Sequence, residues 1–213
     1  MTRSASRSRR RPAAWAARTA LAAALLLGAS GLAGCSRFEA SGDKGYVSGD
    51  GTITTLDAAD RDAPVELTGT DLDGEPLDVA TYRGKPVVIV VWGAWCVECR
   101  TEADEVTAAA KELGSSVQFL GIDLRDNVSA AKAYERRFGV TWPSFNSPGG
   151  QEMLAFPGTL TPNTIPAFVV LDAEGRVAAS IRGTLPSQQT LVDLAGDVLK
   201  ESADASGSGG SGG

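Results

Sequence analysis

Two cysteines three residues apart are the side chains in this sequence best suited to covalent chemistry. Cys96 and Cys99 stand in the segment Trp95-Cys96-Val97-Glu98-Cys99, which follows an apolar run and opens an Ala- and Glu-rich stretch typical of a helix. At a helix N-terminus the unpaired amides and the dipole stabilise a thiolate, so we expect Cys96, at the exposed start, to be the nucleophile. Cys99, one turn further in, would resolve a mixed disulfide formed by Cys96.

The composition excludes several other kinds of chemistry. The chain has no histidine and only three cysteines, which rules out Ser–His and Cys–His nucleophile activation and His-containing metal sites. A zinc half-site at Cys96 and Cys99 would lack the four ligands that zinc needs, so we predict no metal and no cofactor. A purely structural disulfide stays open as an alternative, although so short a loop constrains the unfolded chain little.

Charge is unevenly distributed along the chain. Residues 1–34 contain six arginines and no acidic residue, whereas the whole chain has 20 Lys+Arg and 26 Asp+Glu, so the remainder is strongly acidic. An acidic surface repels phosphate backbones, which argues against nucleic acid and leaves proteins or small molecules as partners.

The first 34 residues follow the plan of a secretory signal, with an arginine-rich start and then an apolar core. Leu32-Ala33-Gly34-Cys35 resembles the lipobox of bacterial lipoproteins, in which the chain is cut before a cysteine that receives diacylglycerol. The resemblance implies that a lipidated Cys35 anchors the protein to the outer face of the bacterial cytoplasmic membrane, because two acyl chains give stable attachment. A short uncleaved anchor and an unmodified Cys35 are the alternatives. Both the general secretory and the twin-arginine export routes stay open.

Strand and helix signals alternate between residues 63 and 200. The β-branched run at 86–92 indicates a strand buried on both faces, and it leads straight into the cysteine pair. Further strands are predicted at 65–67, 77–79, 117–122, 167–171 and 176–181, and helices at 98–113, 129–138 and 187–200.

This order of elements predicts an α/β fold with three layers, a mixed central sheet with helices on both faces and an N-terminal β-hairpin around Asp73-Gly74. The folded domain is placed at 63–200. Residues 35–62, rich in Ser, Gly, Asp and Thr, are predicted as the lipidated cysteine followed by a flexible tether, and 201–213 as a disordered Gly/Ser tail.

The strand, the WC-x-x-C motif and the helix, with Ile165-Pro166 some seventy residues later, resemble the thioredoxin fold of the TlpA/ResA-like family over about residues 63–200. The resemblance implies an extracytoplasmic thiol–disulfide oxidoreductase, and many members serve cytochrome c maturation. It also implies a central strand–helix insert, for which residues 123–156 have the length. Thr164-Ile165-Pro166 would then be a cis-proline loop lying against the disulfide, with Ile165 pairing to an incoming peptide. An ordinary trans proline at a strand start is the alternative.

Glu102 follows Cys99 by three residues and is therefore expected on the same face of the helix. The resemblance implies an active-site carboxylate there, which could take the proton that Cys99 must lose before attack. A solvated first-turn acid is the alternative. The residues expected to contact the substrate are Trp95, Val97, Glu98, Ile165 and Pro166.

The dipeptide between the cysteines, Val97-Glu98, departs from the many relatives that have proline second. A negative charge beside the pair disfavours a thiolate, so we predict a more reducing site than a proline-containing one would give.

These features predict a monomeric enzyme that reduces disulfides in client proteins and is regenerated by a membrane dithiol donor. A peroxiredoxin-type peroxide reductase is one alternative, but such enzymes use a lone peroxidatic cysteine at the helix start. A non-catalytic acidic lipoprotein, with the disulfide as a clamp, is the other.

Overall fold

The computed structural model of the protein describes residues 53–208, so the predicted signal segment and Cys35 lie outside the described residues. Eight strands are β1 (Ile53–Thr55), β2 (Thr68–Thr70), β3 (Pro76–Asp78), β4 (Val87–Trp92), β5 (Gln118–Leu124), β6 (Ser144–Ser147), β7 (Ala167–Leu171) and β8 (Val177–Arg182). Three α-helices are α1 (Val97–Leu113), α2 (Val128–Phe138) and α3 (Gln188–Ser208).

The central sheet is mixed, as predicted, and has the strand order β1-β8-β7-β4-β5-β6. Strands β4, β5 and β6 run parallel, whereas β7, β8 and β1 continue the sheet in antiparallel pairs. Helices α1 and α2 make the two crossovers between the parallel strands, since parallel neighbours need long connections. Within residues 123–156, where the sequence predicted a strand–helix insert, the structure has helix α2 followed by strand β6.

Strand β4 is buried along its whole length, which confirms the interpretation of the β-branched run. Val88, Val90 and Trp92 face a core shared with all three α-helices. The alternate residues of β4 face a second core, which is closed by Leu77 of the β2–β3 hairpin and by Met153 in a 3₁₀ turn. All three α-helices therefore lie on one face of the sheet, and the other face, where the sequence also predicted helices, is covered by short 3₁₀ helices and the β2–β3 hairpin.

Local sequence signals set the ends of α1 and α2. Cys96 is the N-cap of α1, and its Sγ accepts the Cys99 N–H at 3.1 Å. Asn127 caps α2 by accepting the Ala130 N–H at 3.0 Å, and Gly139 ends that helix in the left-handed conformation, which glycine adopts without strain.

Three of the predicted boundaries were wrong. The first hairpin strand is Thr68–Thr70 instead of 65–67, because the backbone before it bonds to loops, as in Val65 N–H to Gly175 O at 2.8 Å. The domain begins earlier than residue 63, since Ile53–Thr55, inside the predicted tether, pairs with β8. Helix α3 continues through residues 201–208, which were predicted as tail.

No helix within residues 53–208 is long and apolar enough to cross a membrane.

Candidate active site

The Cys96–Cys99 disulfide lies at the junction of β4 and α1. The two Cα atoms are 5.3 Å apart. The turn at residues 93–95 that connects Trp92 to Cys96 is tight, with the Cys96 N–H bonded to Gly93 O at 3.0 Å. A Cβ on Gly93 would come within 2.8 Å of the Trp95 indole nitrogen, so the turn requires glycine at this position. We call residues 93–95 the active-site turn.

Neither cysteine is at the surface, which corrects the expectation of an exposed Cys96. The exposed fraction is 3% for Cys96 and 2% for Cys99, whereas their neighbours Trp95 and Val97 are 47% and 59% exposed. Cys96 is buried because its side chain turns back to cap α1 and packs in the helix-side core. The two apolar neighbours thus form the outward surface of the site, and Glu98 lies exposed beside them.

The predicted proline loop lies at the same end of the sheet. The Ile165–Pro166 peptide bond is cis, and β7 begins at the next residue. Ala167 pairs with Val91 near the end of β4, so Pro166 is adjacent to the strand end that leads into the active-site turn. Ile165 is half-buried and packs against both cores. An open groove of about 400 Å³ continues from this loop and is lined by Gly158, Thr161, Asn163, Ile165 and Arg182.

Glu102 is buried instead of solvated, with 7% of the residue exposed. Its Oε2 accepts the Leu185 N–H at 2.8 Å. Burial raises the pKa of Glu102 from 4.5 to about 7; the Leu185 hydrogen bond opposes this shift, and the charges of Glu105 and Glu98 add to it. A carboxyl with this pKa exchanges its proton readily at neutral pH.

Glu102 shares a small internal cavity with Cys99. The cavity is about 20 Å³, room for about one water molecule, and Tyr134 and Trp142 also line it. Tyr134 donates its hydroxyl hydrogen to the Cys99 carbonyl at 2.9 Å, and its ring stacks on Trp92 with 4.3 Å between ring centroids. The inner cysteine, the carboxyl and this aromatic pair therefore form one cluster under the disulfide.

A second set of contacts, which the sequence did not reveal, holds the active-site turn from the end of β5. The Trp95 indole N–H donates to Leu124 O at 2.8 Å, and the Ala94 N–H donates to the carboxylate of Asp126. The Arg125 guanidinium lies 5.3 Å from the Trp95 ring centroid. Among the described residues, Arg125 is the only non-glycine with a positive φ, at 57°. The one sequence signal for Arg125 is its position directly after β5, because the neighbouring parallel strands β4 and β5 end at the same edge of the sheet.

Asp123, two residues before Arg125, is another residue that sequence reasoning missed. It is completely buried, and neither carboxyl oxygen accepts a hydrogen bond from any donor in the described part of the chain. Burial raises its pKa from 3.8 to about 8, with the charge of Asp126 as the next cause.

A cysteine pair that caps a helix, beside a cis-proline and a buried carboxyl of raised pKa, on a thioredoxin-like fold, defines the protein as a thiol–disulfide oxidoreductase. Within residues 53–208 no group of three or more metal-ligating side chains is arranged to hold a metal ion. The chain belongs to the Redoxin family, whose sequence model matches residues 57–197.

The proteins similar to this chain include a secreted antigen and a thiol-disulfide oxidoreductase. The chain is 29% identical over 144 residues to the soluble secreted antigen MPT53 of Mycobacterium tuberculosis, covering 61% of this chain and 83% of that protein. It is 27% identical over 132 residues to the thiol-disulfide oxidoreductase ResA of Bacillus thuringiensis, covering 61% and 72%. The crystal structure of a DsbF homologue from Corynebacterium diphtheriae aligns with a TM-score of 0.65 and 27% identity, covering 72% and 98%. The resemblance to TlpA/ResA-like thioredoxins is thereby confirmed.

Proposed function

We propose that this oxidoreductase works outside the cytoplasm and reduces disulfides in client proteins. The observation that carries the proposal is the cluster of Cys99, Glu102 and the small cavity beneath the disulfide. A carboxyl that titrates near neutral pH next to the inner cysteine suits an enzyme that must deprotonate that cysteine in every turnover.

The proposed reaction starts from the reduced pair. The Cys96 thiolate, stabilised by the N-terminus of α1, attacks one sulfur of the client disulfide, and a mixed disulfide forms while the other client sulfur leaves as a thiolate. Glu102 accepts the proton of Cys99 directly or through one water, and the Cys99 thiolate then attacks Cys96 Sγ. This step releases the second client sulfur and leaves the Cys96–Cys99 disulfide. A dithiol donor in the membrane would return two electrons to the pair.

The client would bind over the surface next to the disulfide. Trp95, Val97 and Glu98 offer an exposed, mainly apolar rim. Ile165 and Pro166 begin the groove on the other side, where the backbone of Ile165 would pair with an extended client segment. Apocytochrome c is the client class that the TlpA/ResA likeness favours.

The proposed location depends on the N-terminal residues, which lie outside the described part of the chain. We infer that residues 1–34 direct export and that lipidated Cys35 anchors the protein, as a monomer, to the outer face of the cytoplasmic membrane. The name of the secreted MPT53 relative supports export. Mass spectrometry of the membrane-bound protein should find diacylglycerol on Cys35, and a C35S variant that stays at the membrane would contradict this anchor.

Insulin reduction tests the proposed activity against its alternatives. The wild-type protein should reduce insulin with a dithiol regenerant, whereas C96S should fall to background and C99S should accumulate a mixed disulfide through Cys96. A peroxiredoxin-type enzyme would instead consume peroxide with C99S retaining the first turnover. A disulfide that is only a clamp would give no insulin turnover in any variant.

The reduction potential of the Cys96–Cys99 couple tests the proposed direction. A value near or below that of thioredoxin, about −270 mV, would support a reductase. A value near the oxidising end of the scale, about −120 mV, would mean that the protein donates disulfides instead.

A further inference from the structure

Arg125 contacts both of the surfaces proposed to bind a client. Its guanidinium lies 5.3 Å from the centroid of the Trp95 ring, in the active-site turn, and its Nη1 donates to Asn163 Oδ1 at 3.4 Å. Asn163 lines the open groove that continues from the cis-proline loop. Arg125 is itself exposed. A positive charge is therefore present at the surface beside the Trp95 side of the rim and within reach of the groove.

The backbone fixes the position of Arg125. Its φ of 57° lies in the left-handed region, which is uncommon for an arginine, and its N–H donates to Ser147 O at 3.0 Å. Leu124 and Asp126, its neighbours in sequence, each accept an N–H from the active-site turn. The residues on both sides of Arg125 are thus bonded to the active-site turn, so its side chain starts from a well-defined point next to the disulfide.

The guanidinium of Arg125 retains most of its hydrogen-bonding capacity. Arginine has five N–H donors, and the contact with Asn163 is a long one to an uncharged amide oxygen. Arg61, Arg83 and Arg176 each form an ion pair with an acid, whereas Arg125 forms none within residues 53–208. A carboxylate from another molecule could therefore bind to Arg125 through the two parallel hydrogen bonds that suit a guanidinium.

Other arginines lie at the same end of the sheet. Arg100, exposed on α1, donates its Nη1 to Ala94 O in the active-site turn at 3.4 Å. Arg182, the last residue of β8, lines the groove. Glu98 is an exposed acid on the same rim, next to Val97. Although the whole chain has a net charge of −6, the Trp95 side of the rim and the groove thus present guanidinium groups, which favour a client segment with carboxylates.

We propose that Arg125 is a specificity-determining residue that binds a carboxylate of the client beside the reacting disulfide. Clients with acidic residues next to the reacting cysteine are therefore preferred to clients with basic residues there. The inference rests on the proposed function, because it takes the bound molecule to be a protein with a disulfide. The Trp95 ring strengthens the contact, since a charge pair over an apolar surface is less exposed to water than one in free solution.

A matched pair of peptides tests the preference. Both peptides have the same sequence and one intramolecular disulfide, but glutamates flank the first cysteine in one peptide and lysines flank it in the other. At low ionic strength the wild-type full chain should reduce the acidic peptide with a kcat/KM about fivefold higher than that for the basic peptide. The difference should appear in KM, and high salt should diminish it.

Substitutions at position 125 identify the residue responsible. Arg125→Gln should bring the two values of kcat/KM within about twofold of each other, Arg125→Glu should reverse the preference, and Arg125→Lys should keep it because lysine retains the charge. The control is Arg136→Gln, which removes the same charge from an exposed position in α2 and should leave the preference unchanged. A purely structural role of Arg125 would change both rates alike and leave their ratio as in wild type.

The reverse exchange separates this inference from the proposed function. In it, the same peptides in their dithiol form react with the oxidised protein. If the protein only oxidises the peptides but keeps the preference, the proposed direction is wrong and the role of Arg125 is supported. Equal rates for the two peptides in wild type, or a preference that survives in Arg125→Gln, would overturn the role of Arg125 and leave the proposed function intact. No exchange in either direction would overturn both.

Discussion

Glu102 and Asp123 are both acids buried on the helix-covered side of the sheet, yet their surroundings differ. Glu102, on α1, accepts one backbone N–H and opens on a small cavity that Cys99 also lines. Asp123, on β5, accepts no hydrogen bond within residues 53–208, and the charge of Asp126 adds to the effect of its burial. Burial raises both pKa values, to about 7 for Glu102 and about 8 for Asp123.

The two environments show how one fold can give two buried acids different titration behaviour. A donor and a cavity allow Glu102 to exist in both protonation states near neutral pH, which suits a group that takes and returns a proton. Asp123 accepts no hydrogen bond from the described residues, and its burial favours the protonated form through the same range. Glu102 lines the cavity that Cys99 also lines, whereas Asp123 lies near the end of β5, where its backbone pairs with Trp92 just before the active-site turn.

The largest expected effect is on the pH dependence of stability. Each acid has a higher pKa in the folded protein than in the unfolded chain, so the folded state binds the proton more tightly. The stabilisation is fully present below the unfolded pKa and is lost as pH rises through the folded pKa. Within that window each group lowers the free energy of unfolding by about 1.4 kcal/mol per pH unit.

Amide variants should separate the two windows. Between about pH 5 and pH 7, the free energy of unfolding should fall less in Glu102→Gln or in Asp123→Asn than in wild type. For each variant the difference over this interval should be about 3 kcal/mol. Between about pH 7 and pH 8, only Asp123→Asn should still do so, because Glu102 has by then lost its proton. Urea unfolding at several pH values measures this. Curves parallel to wild type for both variants would mean that neither acid is protonated in the folded state.

The second effect is on turnover and concerns Glu102 alone. Glu102→Gln removes the proton acceptor beside Cys99, so insulin reduction at pH 8 should slow by about tenfold to a hundredfold. The wild-type rate should rise as pH passes about 7, where Glu102 ionises, and the variant should lack this rise. Glu112→Gln is the matched control, because it changes an exposed glutamate of the same helix whose charge is not among those that raise the pKa of Glu102. If Glu102→Gln kept the wild-type rate and pH profile, Glu102 would have no role in the mechanism.

Much of the region around Glu102 could be predicted because its signals are local. The β-branched run of β4, the paired cysteines and the Ala- and Glu-rich start of α1 follow one another in sequence, and Glu102 is one turn from Cys99. The cis-proline loop was reached through family resemblance. The burial of Cys96 was not foreseen, since it depends on packing against the helix-side core.

The region around Asp123 could not be predicted in the same way. The segment at 121–127 contains polar side chains at a strand end, a pattern equally typical of an exposed loop. Burial of Asp123 depends on helix α2 and on Trp92, which tertiary structure brings together. Strand β1 could not be predicted for the same reason. Its three residues have little apolar pattern, and they are held by backbone pairing to β8, more than 120 positions away.

The smallest expected effect comes from replacing a charged residue that raises the pKa of one acid and not that of the other. Glu98 raises the pKa of Glu102, whereas Glu135 raises that of Asp123. Glu98→Gln should therefore lower the pKa of Glu102 by less than about half a pH unit, and Glu135→Gln should do the same only for Asp123. Carboxyl titrations by nuclear magnetic resonance would resolve both shifts.

High salt should increase the difference between the effects of Glu98 and Glu135. Glu98 is exposed, so high salt should reduce its influence on Glu102, while the half-buried Glu135 should keep more of its influence on Asp123. Glu98→Gln should also make the Cys96–Cys99 couple slightly less reducing, because it removes a negative charge that disfavours the thiolate. If either substitution moves both acids equally, the two carboxyls form one coupled group and do not titrate as two separate acids.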